Sequence, residues 1–232
     1  MKRVYLIRHG ENLANLAREL SCRRVDRDLT ERGRLQAEQV AAYLQGLGIR
    51  ALFASPLRRA QQTAEPLARA LGRPVTLLEG LRELNAGDLE VDGEPHTLEA
   101  RWREHDEVLA AWRAGDRARR FPGGENWHEL QARSLEAWSR ILEAPGDAAV
   151  FGHSGQIKLT LPELCPDLDA ALLRASMMPG SVTEVAFDAA RPSGGRLIRF
   201  ADAAHLSGDA AIPTPVPSFE QLIQAAVNEV QA

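Results

Sequence analysis

Only two of the 232 residues are cysteines, and Cys22 and Cys165 lie far apart with no close-spaced partner. Neither a zinc knuckle nor a disulfide framework is indicated, since both need clustered cysteines. Long apolar runs are missing too. No stretch approaches the ~20 residues that a bilayer-spanning helix requires. Met1-Lys2-Arg3 leads into an apolar run with neither a long hydrophobic segment nor a small-residue cleavage site, so the expectation is a cytoplasmic protein with no membrane partner. Positive charge is not in excess either: 28 Lys and Arg against 32 Asp and Glu leave a net charge of −4. That balance gives no support to a nucleic-acid partner. Internal repeats and low-complexity tracts are also absent.

What is present is an ordinary soluble composition, 44% apolar and 26% charged, in a chain long enough for a sizeable core. Short β-branched or apolar runs at 4–7, 49–54, 75–78 and 148–151 read as strands. Helical spacing covers 12–20, about 31–47 with Thr30 as cap, 57–71, 98–114 and 125–142. Ser55-Pro56 reads as a cap followed by proline at the first helical position, and Pro66 is expected to kink or split the helix that follows. Residues 181–187 and 196–200 alternate as an antiparallel edge hairpin. Strands alternating with helices argue for an α/β domain with a mostly parallel sheet over 1–208. Residues of about 92–143 form a helical insertion over one edge. The remainder, 209–232, reads as a Pro-rich linker (Pro213, Pro215, Pro217) and an amphipathic helix carrying Phe219, Leu222, Ile223, Ala226 and Val230, an arrangement that suits a homodimer.

Two strand ends look alike. His9 follows the first strand and His153 the fourth, each succeeded by glycine and a helix. In a parallel sheet both lie at the carboxyl edge, where α/β folds place ligands. Two histidines fall short of the usual three or four metal ligands, and Arg8 would repel a cation, so the pair favours an anion. A second basic element, Ser55-Pro56-Leu57-Arg58-Arg59, also opens a helix, whose N-terminus attracts negative charge.

The ordered blocks resemble the histidine phosphatase superfamily, in its phosphoglycerate-mutase-like branch. R-H-G-E-N-L-A-N (8–15) resembles the nucleophile block and L-T-E-R-G-R-L-Q-A (29–37) the helix start after it. S-P-L-R-R-A-Q-Q-T-A (55–64) is similar to the second arginine block, and its alignment selects Arg59 over Arg58. L-R-E-L-N-A-G-D-L-E (81–90) resembles the acid loop, F-P-G-G-E-N-W (121–127) and G-H-S-G-Q-I (152–157) complete the set, and D-A-A-H-L (202–206) resembles the usual domain end. Departures fall near the pocket mouth: Arg23, Asp28, Leu89, Val91 and Ser154 replace the family's more usual glycine, proline, tryptophan, glycine and glycine.

The resemblance implies a three-layer α/β/α sandwich and a metal-independent phosphomonoesterase acting on a small phosphorylated metabolite, with no cofactor. His9 would attack phosphorus and carry a phosphohistidine. Arg8, Arg59 and a protonated His153 would hold the non-bridging oxygens, with Asn15 as a further donor. Glu83 would protonate the leaving alkoxide and then activate water. Arg24 and Ser154 are added as candidate substrate contacts. The division of labour is physically necessary, because phosphate-monoester hydrolysis needs rate gains approaching ~10²¹, whereas one cation gives roughly 4 kcal/mol of gross Coulomb energy. The same cations should keep the attacking nitrogen of His9 unprotonated. Two other readings stand beside this one: a cofactor-dependent phosphoglycerate mutase, and a non-catalytic binder of phosphorylated ligands. The acid block lacks the tyrosine-rich pattern associated with mutases, and a pure binder needs neither nucleophile nor acid. Trp102, Trp112, Trp127 and Trp138 read as packing residues, His105 as an insertion residue, His205 as structural and the Arg117–Arg120 cluster as a solvated turn.

Overall fold

The computed structural model describes residues 1–90, 97–188 and 191–214. The linker's end, the C-terminal helix and Val91 lie outside the described residues. Six strands form one sheet in the order β3-β2-β4-β1-β5-β6. They are β1 (Lys2–Arg8), β2 (Ile49–Ala54), β3 (Val75–Leu77), β4 (Asp147–Gly152), β5 (Val182–Asp188) and β6 (Arg191–Asp202). The first four run parallel; β5 and β6 are antiparallel and close one side.

Alternation along the central strands sorts the core into two layers. Val4 and Leu6 of β1, Phe53 of β2 and Val150 of β4 face one side, where α5 (Trp127–Glu143) and α6 (Ser154–Leu164) bring Trp138, Ile141, Ile157 and Leu161. Tyr5, Ile7, Leu52 and Phe151 face the other, against Val40 and Leu44 of α2 (Glu31–Leu44) and Leu67 of α3 (Arg58–Leu71). Strands apolar on both faces are what a sheet covered on both sides requires. The three-layer α/β/α architecture follows.

Several local expectations differ from the structure. The first helix, α1, is short, Leu13–Ala17, because Arg18 turns left-handed at φ 55° and ends it. Helix α3 starts at Arg58 rather than Leu57, and Ser55 does not cap it. Its hydroxyl is engaged elsewhere, and Asp26 Oδ2 accepts the Arg58 N–H at 2.8 Å instead. Pro66 neither ends nor splits α3, which runs on to Leu71. The lost N–H and the crowded carbonyl cost about 3 kcal/mol, offset by burial of Ala64 and Leu67 against the sheet.

The span read as one helical insertion has two parts with different attachments. Helix α5 belongs to a flanking layer of the sandwich. Helix α4 (Leu98–Arg113) instead covers the carboxyl edge, where Val108 and Trp112 pack with Leu20, Cys22, Leu84, Leu89 and Phe121. Trp102, His105, Phe121, Trp112 and Trp127 form a ladder of ring contacts with centroids 5.0–5.9 Å apart. Arg117 lies 5.1 Å over Trp127 and Arg120 pairs with Glu129, so these two members of the arginine cluster brace the turn. Among the described residues no helix is long and apolar enough to cross a membrane.

Candidate active site

Register brings the two histidines together. Arg8 pairs with Gly152 across β1 and β4, and the His9 N–H donates to the Gly152 carbonyl at 3.0 Å. The next residue on each strand is a histidine, and the ring centroids are 5.3 Å apart. Close approach of the chain behind His9 requires Gly10, because a Cβ there would meet the Gly33 carbonyl oxygen at 2.5 Å.

His9 is 5% exposed. Its Nδ1 donates to the Gly10 carbonyl at 2.8 Å, so Nε2 is the unprotonated nitrogen of the neutral ring. Burial, with Arg59 and Arg8 nearby, holds the imidazole well below its ordinary pKa. His153 is fully buried. The Ser55 hydroxyl accepts the Leu57 N–H at 3.3 Å and lies 2.8 Å from His153 Nε2. A hydroxyl has two acceptor lone pairs and one hydrogen, so Ser55 can hold the Leu57 N–H and pair with Nε2 in either protonation state of the ring. Burial first, then Arg59 and His9, push this ring's pKa down as well. That direction runs against the expected protonated ring, for which a bound anion would be the compensating charge.

Arg59 is 1% exposed. Its Nη1 donates to Ser21 Oγ at 3.2 Å and Asp26 Oδ1 at 3.1 Å, and its Nη2 to the Ser21 carbonyl at 2.6 Å. Arg58, one residue earlier, is exposed and pairs with Asp26 and Asp28. Arg8 donates through Nη1 to the Met177 carbonyl. After these contacts Arg8 Nε, Arg59 Nε and His153 Nδ1 remain buried without a hydrogen-bond partner. Buried polar groups are normally satisfied, so two unpaired guanidinium N–H donors and an unpaired imidazole nitrogen around one histidine mark a place for an anion.

A cleft of about 440 Å³ opens over this floor, with Arg8, His9, Asn15, Arg59, Glu83 and Ser154 among its lining. His153 stands behind the His9 ring rather than in the wall. Asn15 Oδ1 accepts the Asn12 N–H at 3.1 Å, which leaves its amide NH2 for a ligand. The Glu83 carboxyl group accepts from Leu84, Gly155 and Gln156 N–H groups at 2.9, 3.0 and 2.7 Å, fixing it over the start of α6.

Arg24, expected at the site, is turned away: it pairs with exposed Asp88 at 3.2 Å. The reason lies in Glu90, 2% exposed, whose carboxylate accepts the N–H groups of Cys22, Arg23 and Val25 at 2.6–2.8 Å. That grip turns Ser21 and Cys22 into the cleft and Arg24 outward. Arg133 was not singled out by sequence either. It donates to Glu125 and to the carbonyls of Gly80, Arg82 and Glu83 at 2.7–3.1 Å, bracing the acid-bearing segment. Trp102, His105 and Lys158 also line the cleft; the first two were read as packing and insertion residues. His205 stacks on Tyr43 and lies 3.1 Å from the Gly180 carbonyl, away from the cleft.

Residues 4–198 match the family described as the histidine phosphatase superfamily, branch 1. The chain belongs to this superfamily. Among its relatives, a probable phosphoglycerate mutase GpmB from Erwinia tasmaniensis is 39% identical over 145 residues, 62% of this chain and 65% of that protein. The chain therefore spans just under two thirds of that relative's length. Of solved structures, Bacillus stearothermophilus YhfR superposes with a TM-score of 0.72 at 25% identity, covering 88% of this chain and 99% of the other. A putative alpha-ribazole-5'-P phosphatase from Escherichia coli gives 0.68 at 25% identity, covering 84% and 94%. Phosphatases and a probable mutase thus both stand among the similar proteins.

Proposed function

We propose that this histidine phosphatase superfamily member is a metal-independent phosphomonoesterase acting in the cytoplasm on a small phosphorylated metabolite. The observation that carries the reading is the set of unpaired buried nitrogens, Arg8 Nε, Arg59 Nε and His153 Nδ1, around a histidine whose Nε2 carries no proton. Donors fixed before substrate arrives cost no reorganisation when charge develops on the phosphoryl oxygens.

In the first step His9 Nε2 attacks phosphorus; the N–P bond forms as the P–O bond to the alcohol breaks. Glu83 gives its proton to the departing alkoxide oxygen, so a neutral alcohol leaves. In the second step Glu83, now ionised, takes a proton from water as its oxygen attacks the phosphohistidine. The N–P bond breaks, inorganic phosphate leaves, and His9 and Glu83 return to their starting states. Arg8, Arg59, His153 and the Asn15 amide bind the non-bridging oxygens throughout.

The name of the 39%-identical relative supports one rival, in which the phosphohistidine returns its phosphoryl group to a bound acceptor. A panel of phosphorylated metabolites, scored for free phosphate and for isomerised product, separates the two. Phosphate release from at least one ester and an acid-labile phosphoenzyme lost in His9→Ala are expected. Isomerised product as the main outcome would transfer the assignment to a mutase, and neither turnover nor phosphoenzyme would leave a binder.

A further inference from the structure

We propose that Glu90 is a positioning residue that sets the phosphate-binding geometry of Arg59 through the 21–26 loop. The inference rests on the phosphatase reading and extends it to a residue buried behind the cleft. Glu90 is at the end of the segment that begins with the acid Glu83, just after the 3-10 turn Gly87–Leu89. Its carboxylate is 2% exposed, and among the described residues it is met by backbone N–H groups rather than by a cation. Oε1 accepts from Cys22, Arg23 and Val25 at 2.6, 2.7 and 2.8 Å, and Oε2 from Arg23 at 2.8 Å. Hydrogen bonds to an ionised acceptor are about twice as strong as neutral ones, so this one side chain fixes the course of the loop.

The loop in turn is what holds Arg59. Ser21 precedes the clasped residues and Asp26 follows them, and Arg59's protein contacts go to these two residues: Nη1 to Ser21 Oγ and Asp26 Oδ1, and Nη2 to the Ser21 carbonyl. A guanidinium has five N–H donors in a fixed plane. Three are spent on the loop. The buried Nε–H and the second Nη2 hydrogen remain as a pair, and Nε has no partner. Where that free pair points is decided by the end anchored to Ser21 and Asp26. The carboxylate on its own helix, Glu65, pairs with Arg69 instead. Displacement of the loop therefore rotates the free edge of the clamp, and catalytic placement is sensitive to shifts of about 1 Å.

The test measures binding of inorganic phosphate to the intact protein by calorimetry, with no turnover needed. Glu90→Gln keeps the shape and removes the charge, while Glu90→Asp keeps the charge and shortens the reach; whichever folds, by circular dichroism, is carried forward in wild-type and Arg59→Ala backgrounds. The expected result is a loss of phosphate affinity of roughly tenfold in the wild-type background, shrinking to less than twofold once Arg59 is absent, since coupled residues are non-additive. Asp26→Asn should weaken phosphate binding in the same direction with the Glu90 contacts intact. Unchanged phosphate affinity in the folded Glu90 variants, or an equal loss in both backgrounds, overturns the proposal. Failure of the phosphatase reading shows up separately, as absence of turnover in a wild-type protein that still binds phosphate.

Discussion

The carboxylate of Glu83 and the backbone N–H of Gly155 meet at 3.0 Å, which ties the acid-bearing loop to the helix that begins one residue after His153. Contact this close is possible because residue 155 has no side chain. A Cβ at that position would stand 2.6 Å from Glu83 Oε1. Gly155→Ala should therefore displace the carboxylate, which is the movable end of a side chain, and leave the fold intact. Activity is expected to fall at least tenfold with Tm within a few degrees of wild type, checked by steady-state kinetics and thermal melts on the same preparation.

Glu83→Gln removes the proton donor while keeping the shape. A general acid contributes typically 10²–10⁴-fold, and the loss should be largest for esters of poorly acidic alcohols. Across esters of graded leaving-group pKa, the variant's rate should fall more steeply than the wild type's. Parallel slopes would show that Glu83 does not protonate the leaving group.

Acidity should act on this protein through its buried histidines. His9 and His153 both have pKa values pushed well below 6.5 by burial and by neighbouring cations. The unfolded chain takes up these protons near pH 6.5, whereas the folded one resists until well below it. Between those limits the unfolded state binds more protons, so stability falls as pH drops from 6.5 and is unaffected by these groups above it. Urea midpoints measured from pH 8 to pH 5 should decline on the acid side, and less so in His153→Asn. The rate profile should show no loss of nucleophile at pH 6.5.

Removing Arg133 leaves buried Glu125 with the Asn85 N–H at 2.7 Å and the more distant Arg23 guanidinium at 3.7 Å, and releases the carbonyls of Gly80, Arg82 and Glu83. Breaking a buried pair on one side costs about 3–5 kcal/mol; Arg133 is 18% exposed, so the lower end is expected for Arg133→Ala in chemical denaturation. Phosphate release should fall along with it.

Extended incubation with a chelator, followed by assay in its presence, should leave the rate unchanged. Loss of activity restored by a divalent ion would replace the proposed chemistry with a metal-assisted one.

Much of the fold and the floor of the site was legible because strand ends announce themselves locally. A run of apolar residues followed by histidine and glycine occurs twice, and parallel register then makes His9 and His153 neighbours. Arg59 and Glu83 came from blocks of sequence whose order, rather than composition, was informative. The missed residues share a different property. Glu90 and Arg133 act on backbone N–H and carbonyl groups 50 or more positions away, and Arg133 also on Glu125 eight positions away; a backbone group carries no side-chain signature. Arg24 was misplaced for the same reason, since the clasp that turns it outward is made by a distant carboxylate. The charge expected on His153 came from its role, whereas its burial, which opposes that charge, is a property of the packed chain that no local run of residues announces.

The two helices once read as a single insertion divide the molecule's obligations. Helix α5 shares Trp138 and Ile141 with the central core and anchors Arg133, so altering it disturbs both folding and the acid loop. Helix α4 touches the cleft through Trp102, His105 and Leu109, while its Val108 and Trp112 pack with Leu20, Cys22 and Leu84 beside the reacting groups. Under the proposed function, a change of substrate is best written into the three cleft-facing positions alone. Varying Trp102, His105 and Leu109 with Val108 and Trp112 kept should alter selectivity while the acid loop holds its place, which makes that face the natural cassette for building libraries on this scaffold.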